Sequence, residues 1–272
     1  MNDQKKVLCI ITTLLKEPYP TILKEGQEKT WLSGQLPERM EVVIVHGNYP
    51  GRITTWLDNC RELIRLKHGY TSKFLSLVEN FISKPLLSYI PKISKSEILR
   101  CKSSALHVNF PDMYVTLRWK ILAMFSYFIN QTNSDYLFIT TNSSYIRTEE
   151  LIKFMDNLPI NNVYCGAYAW NQAKFVSGSN RIFSRDVAEK ILDNMSLWKP
   201  GEIEDVEIAN VLKQLGINHT GKNLISISSN EELLKISDET LFENYHFRLK
   251  SGPLRSRFDT SLMQALHAKL TK

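Results

Sequence analysis

Residues 136–151 read YLFITTNSSYIRTEEL. Tyr136 to Thr140 is a continuous apolar run rich in aromatic and β-branched side chains, which predicts a strand buried on both faces, as in a parallel sheet. Thr141-Asn142-Ser143-Ser144 form a polar step just past its end. Thr148 to Asn157 then has helical spacing, with a capping-box start at Thr148 in which Glu149 and Glu150 fall early for the reciprocal bond. Strand, polar step and helix together are the unit of an α/β sheet.

The unit recurs on either side. Upstream, Val7 to Ile11 (VLCII) is a second buried strand ending on Thr12-Thr13, followed by helical spacing over Ile22 to Leu32. Glu41 to His46 (EVVIVH) is a third, closed by the turn Gly47-Asn48-Tyr49-Pro50-Gly51, and Ile53 to Leu66 is an amphipathic helix. The rhythm breaks at 67–104, a basic stretch with Pro85 and Pro91 that reads as a helical insertion, and resumes at Pro111 with an apolar helix from Leu117 to Ile129. Downstream come a strand at Val163 to Tyr168 and a small-residue turn at Ser177-Gly178-Ser179. A helix from Ser184, read as its cap, runs to Asp193, and another from Asp205 to Leu215 is closed by Gly216. The expected architecture is therefore a mixed, mostly parallel sheet flanked by helices, in one domain spanning 1–272.

Composition agrees with a globular chain. Of 272 residues, 43% are hydrophobic and 23% charged, which excludes a disordered, collagen-like or disulfide-scaffold protein. Net charge is +6, concentrated in two segments. Residues 61–102 carry nine Lys/Arg against three Glu, and residues 243–272 carry six against two acids. Such regions suit an anionic partner: a phosphate-bearing ligand, nucleic acid, or a membrane surface touched peripherally through 67–104. The four cysteines form no CxxC pair, and no apolar run reaches the roughly eighteen residues of a membrane span. The chain reads as a soluble, cytoplasmic protein with Cys9 and Cys165 in its core.

In open α/β sheets ligands bind beyond the carboxyl ends of the strands. Those ends carry Thr12-Thr13, His46-Gly47, Thr141-Asn142-Ser143 and the Ser177-Gly178-Ser179 step. The sequence has no GxGxxG, no GxxxxGK[ST], no GxSxG and no HExxH, so dinucleotide, P-loop, α/β-hydrolase and zincin chemistries lack their motifs. An acidic cluster, Glu202, Glu204, Asp205 and Glu207, precedes and opens a helix. Crowded carboxylates raise one another's proton affinity, which can furnish a general base, although an acidic helix start on a solvent face is the plainer account. His246, beside Arg248 and Lys250, could form a phosphate-binding strip.

Four segments, taken in order, resemble the Fringe and β-1,3-galactosyltransferase family of GT-A fold. Asp112-Met113-Tyr114-Val115-Thr116-Leu117-Arg118-Trp119-Lys120 is similar to that family's D-x-Y-x-N-L-T-x-K, keeping Asp112, Tyr114, Leu117 and Lys120. Residues 136–151 resemble its strand, acidic triplet and helix. Val176 to Asp186 (VSGSNRIFSRD) resembles its small-residue turn, strand and S-R-D helix start. Glu204-Asp205-Val206 with Leu215-Gly216-Ile217 is like its E-D-V and L-G-I. Glu28-Lys29-Thr30-Trp31 echoes R-x-T-W, and the likeness covers roughly residues 5–220.

The resemblance implies an inverting glycosyltransferase that moves a sugar from a nucleotide-sugar donor, a UDP-sugar first of all, to an acceptor hydroxyl, with Asp205 as the base. It implies donor binding by Thr12, Thr13, Lys120, Thr141, Asn142, Ser143 and Arg181, and the phosphate-binding strip of His246, Arg248 and Lys250, beyond the likeness, is expected to join them. Acceptor binding would fall to Trp170, Ser177, Gly178 and Glu204. The family's acidic triplet, which holds a divalent cation on the diphosphate, falls here on Thr141, Asn142 and Ser143, none of them a carboxylate. Mn²⁺ or Mg²⁺ would then be held weakly with the donor, or basic groups such as Lys120, Arg118, Arg181, Arg248 and Lys250 would neutralise the leaving group instead. The family's anchored members work in the secretory pathway, and a chain read as cytoplasmic fits a bacterial or phage setting. The acceptor is then a glycan or a modified base in DNA. Two other classes stay open: a catalytically inactive sugar- or nucleotide-binding module on the same fold, and a nucleic-acid-binding protein.

Overall fold

The computed structural model describes residues 4–49, 51–52, 56, 89–96, 104–113, 116–168, 175–198, 204–251 and 257–271. The helix expected at 53–66 and most of the 67–104 insertion lie outside them, as does Trp170.

An eight-stranded sheet runs in the order β3-β4-β2-β1-β5-β8-β7-β9. Its strands are β1 (Val7–Thr12), β2 (Met40–Asn48), β3 (Ile93–Ser96), β4 (Ala105–Pro111), β5 (Tyr136–Thr141), β7 (Tyr164–Tyr168), β8 (Val176–Ser184) and β9 (Thr220–Asn223). Pairing is parallel from β4 through β2 and β1 to β5, and again between β7 and β9, whereas β3 and β8 run against their neighbours. The result is a mixed, mostly parallel sheet flanked by helices. A second, two-stranded sheet joins β6 (Ser144–Ile146) to β10 (His246–Arg248).

Alternation along the central strands sorts the core into two layers. Val7, Cys9 and Ile11 face one cluster, and Leu8 and Ile10 the other. Helices α1 (Leu117–Gln131), α3 (Arg185–Asp193) and α4 (Glu204–Gln214) cover the face of Leu8 and Ile10. On the opposite face lie the π-helical turn Ile22–Gln27 and helices α2 (Thr148–Asp156), α5 (Asn230–Lys235), α6 (Asp238–Glu243) and α7 (Asp259–Leu270). Ile10 is fully buried at the centre of the sheet, so Ile10→Val should cost about 1 kcal/mol in urea denaturation through the lost methylene. Among the described residues no helix is long and apolar enough to cross a membrane.

Several local expectations are corrected. The expected 22–32 helix is a short α turn, Tyr19–Thr21, continued by the π-helix Ile22–Gln27. Within the supposed helical insertion the described residues form strand β3, antiparallel to a strand, β4, that ends where regular structure was expected to begin. Helix α2 has no side-chain cap: its N-cap is Arg147, and Thr148 is already helical. Ser184 does precede α3, but its hydroxyl accepts from Val163 N at 2.9 Å and donates to Asp186 at 2.6 Å instead of capping the helix. Ser177-Gly178-Ser179 is no turn; β8 runs straight through it. Gly216 does take the left-handed conformation after α4, at φ +74°.

Candidate active site

The carboxyl ends of β1 and β5 lie side by side, with Thr12 opposite Thr141. Because β8 is reversed, its first residues, Ser177 to Asn180, reach the same edge. Thr12 Oγ1 donates to Thr140 O at 3.0 Å, and Thr140 Oγ1 donates to Ser179 O at 2.8 Å. These bonds tie three neighbouring strand ends into one polar rim.

The Thr141-Asn142-Ser143 step is fixed from both sides. From below, Gln27 Nε2 donates to Thr141 O and Ser144 O at 3.2 and 2.8 Å, and Trp31 Nε1 donates to Ser144 O at 3.2 Å. Asn142 Nδ2 donates to Thr13 Oγ1 at 3.3 Å and to Tyr19 O at 3.1 Å. Ser143 O accepts from Leu249 N at 2.7 Å, and Ser143 Oγ accepts from the Arg257 guanidinium. Arg257 also grips Asp259, with Nε to Oδ2 at 3.0 Å, and lies over the Tyr19 ring at 5.3 Å.

On the far side of the rim, α4 begins with Glu204 and Asp205. Glu204 is buried against Arg181 in an ion pair, and burial pushes its carboxyl up to about 7 against the opposing pull of that guanidinium. Asp205 is half-buried. Its Oδ2 accepts from Gly178 N at 3.3 Å and its Oδ1 from Val206 N at 3.1 Å. Burial raises its pKa above the usual 3.8, partly offset by Arg181 and the Gly178 amide. A Cβ on Gly178 would stand 3.7 Å from Asp205 Oδ2, an ordinary van der Waals distance, so strand and carboxylate are in direct contact here.

Other expected site residues sit elsewhere. Lys120 is buried under the rim, where its ammonium contacts both Asp112 oxygens at 2.7 and 2.8 Å and Thr13 O at 2.9 Å. It braces Thr13, its three ammonium hydrogens all taken by Asp112 and Thr13. The Arg118 guanidinium is buried over the Trp198 ring at 4.8 Å. His246 is buried with Nε2 3.1 Å from Ser144 Oγ, and burial lowers its pKa to about 3, so its imidazole is neutral and brings no charge to a phosphate strip. It lines a cavity of about 260 Å³ with Phe154, Asn180 and Tyr245. Arg248 is half-buried on β10 opposite Ser144, and Lys250 is exposed just beyond.

Arg257 escaped the sequence reading. Its only signal was membership of the basic C-terminal segment, because its partner Ser143 lies 114 positions upstream. A hard divalent cation wants anionic oxygen ligands, and the residues present do not fit one. The triplet supplies only hydroxyl and amide groups, Asn142 Nδ2 is spent as a donor, and a guanidinium occupies Ser143 Oγ. Nor do the described residues contain a cluster of three or more His, Cys, Asp or Glu suited to a metal.

No protein-family model matches the sequence, and no curated protein resembles it significantly. Solved structures of similar shape include 4-diphosphocytidyl-2C-methyl-D-erythritol synthase from Anaerococcus prevotii, at TM-score 0.42 and 11% identity over 99% of this chain and 98% of that one. Another is the apo form of mouse xyloside xylosyltransferase 1, at TM-score 0.40 and 8% identity over 90% and 96%. Likenesses this distant leave the reading of the site to its own geometry.

Proposed function

We propose that the chain is an inverting glycosyltransferase that uses a nucleotide-sugar donor. The observation that carries this reading is Asp205: a half-buried carboxylate of raised proton affinity, held by Gly178 N at the edge where β1, β5 and β8 converge. In this reading the donor lies along Thr12, Thr13 and the Thr141-Asn142-Ser143 step. Asp205 takes the proton from an acceptor hydroxyl. The freed oxygen attacks the anomeric carbon from the face opposite the diphosphate, and the glycosidic C–O bond to the diphosphate breaks. Alignment of the two substrates on one rigid rim supplies much of the rate, and a base held above the usual carboxylate range is better matched to neutral pH. The acceptor in this reading is a glycan or a hydroxylated base in DNA, and salt-dependent retention of duplex DNA would select the second.

The test is a panel of nucleotide sugars assayed for transfer and for donor hydrolysis with the wild type and Asp205→Asn. Turnover by the wild type and its loss in the variant are expected. Donor binding without turnover in either protein would identify a binding module instead. The acid limb of the pH profile gives a second check. Asp205 must be ionised to act, and its pKa lies above 3.8, so kcat/KM should fall with decreasing pH sooner than an unperturbed aspartate would allow. A limb at the ordinary aspartate value would remove Asp205 from the role.

A further inference from the structure

We propose that Arg257 does the work a divalent cation does elsewhere, making the rim at Ser143 a metal-independent site for a diphosphate group. The inference rests on the nucleotide-sugar reading and gives that donor its anion site. Three observations carry it. The step that would hold a cation is neutral at all three positions, Thr141, Asn142 and Ser143. A guanidinium sits on the last of them, with Nη2 touching both Ser143 Oγ and Asp259 Oδ2. That guanidinium is locked in place, its side chain only 3% exposed.

The lock explains the orientation. Asp259 is fully buried and accepts from Ser251 N and Ser251 Oγ at 2.9 and 2.6 Å, as well as from Arg257 Nε at 3.0 Å. The ion pair is therefore a fixed dipole, its positive end on Ser143 and its negative end on Ser251. The two Nη1 hydrogens are engaged by neither Asp259 nor Ser143. With Nε and Nη2 spent on Asp259 and Ser143, the two Nη1 hydrogens are the donors left for phosphate oxygens, and a buried charge acts at lower effective dielectric than one in solvent. Carboxylates in the triplet would compete with the anion for Arg257; hydroxyls and an amide do not.

The experiment is calorimetric titration of the full chain with inorganic pyrophosphate, in EDTA and again in Mn²⁺. Wild type should bind in EDTA, with Mn²⁺ changing Kd by less than about threefold, and Arg257→Gln should weaken binding about tenfold or more. Because Arg257→Gln leaves Asp259 without its cation, Ser143→Asp is the companion. It keeps the Arg257–Asp259 pair, adds a competing carboxylate, and should weaken binding in EDTA by a similar factor. Arg257→Lys, which keeps the charge and loses the separate Nη1 donors, should fall between. The inference is overturned if wild type binds only with Mn²⁺, if it binds in neither buffer, or if Ser143→Asp binds as wild type does. Failure of the glycosyltransfer reading is a separate result: pyrophosphate bound through Arg257 with no nucleotide sugar turned over.

Discussion

Asp205→Asn should lower turnover by about 10²–10⁴-fold, the usual range for loss of a positioned general base. The loss should fall on kcat and leave donor KM nearly unchanged, because in the proposed reaction Asp205 meets the acceptor hydroxyl and not the donor. The amide keeps an oxygen for Gly178 N, which donates at 3.3 Å in the wild type, so the strand-to-helix contact survives and the effect reads on chemistry. Stability should move the other way. A carboxyl whose folded pKa is raised contributes stability that is complete below its unfolded pKa and is lost as pH rises through the folded value. At neutral pH the ionised group opposes folding, so the neutral variant should melt slightly higher. A functional residue held at a cost to stability is a recognised pattern, and urea denaturation at pH 7 measures it. Equal rates in wild type and variant would dismiss Asp205 as the base.

Asp112→Ala should cost about 3–5 kcal/mol, the typical penalty for stripping one partner from a buried ion pair. Asp112 and Lys120 are 3% and 5% exposed, at 2.7 Å. Asp112 Oδ2 also accepts from Gly47 N at 2.8 Å. The substitution would leave an ammonium buried with only Thr13 O for company and a backbone amide without an acceptor. Against a typical stability of about 5–15 kcal/mol, such a loss shifts the urea midpoint substantially. Asp112→Ala combined with Lys120→Met should recover much of it, since a buried pair replaced by apolar groups is often close to neutral. If the single variant unfolds like wild type, the pair does not brace the rim.

β1, β2 and β5 are legible because a strand buried on both faces reads as a near-continuous, β-branched apolar run, bounded here by polar and turn residues. β4 was missed because ALHVNFP mixes polar residues into an outer strand. Ser177-Gly178-Ser179 was misread because small polar residues signal turns locally. Here they lie within β8, where Gly178 N donates to Asp205 at 3.3 Å. Asp205 itself could be named from a family-like motif, but its burial and hydrogen bonds could not. Lys120 was assigned to the donor because a lone lysine in a motif invites a ligand, yet its counter-ion stood eight positions away in the same segment. Arg257 has its counter-ion, Asp259, two positions away, but its link to the Ser143 step spans 114 residues and leaves no local signature.

Ser144 to Ile146 pairs with His246 to Arg248, and Ser143 is gripped from Leu249 and Arg257. During synthesis, the loop beyond β5 thus waits for more than a hundred further residues to leave the ribosome before it can be fastened. Until then a nascent chain can have its central strands assembled and still own no finished pocket, so competence should arrive late and all at once.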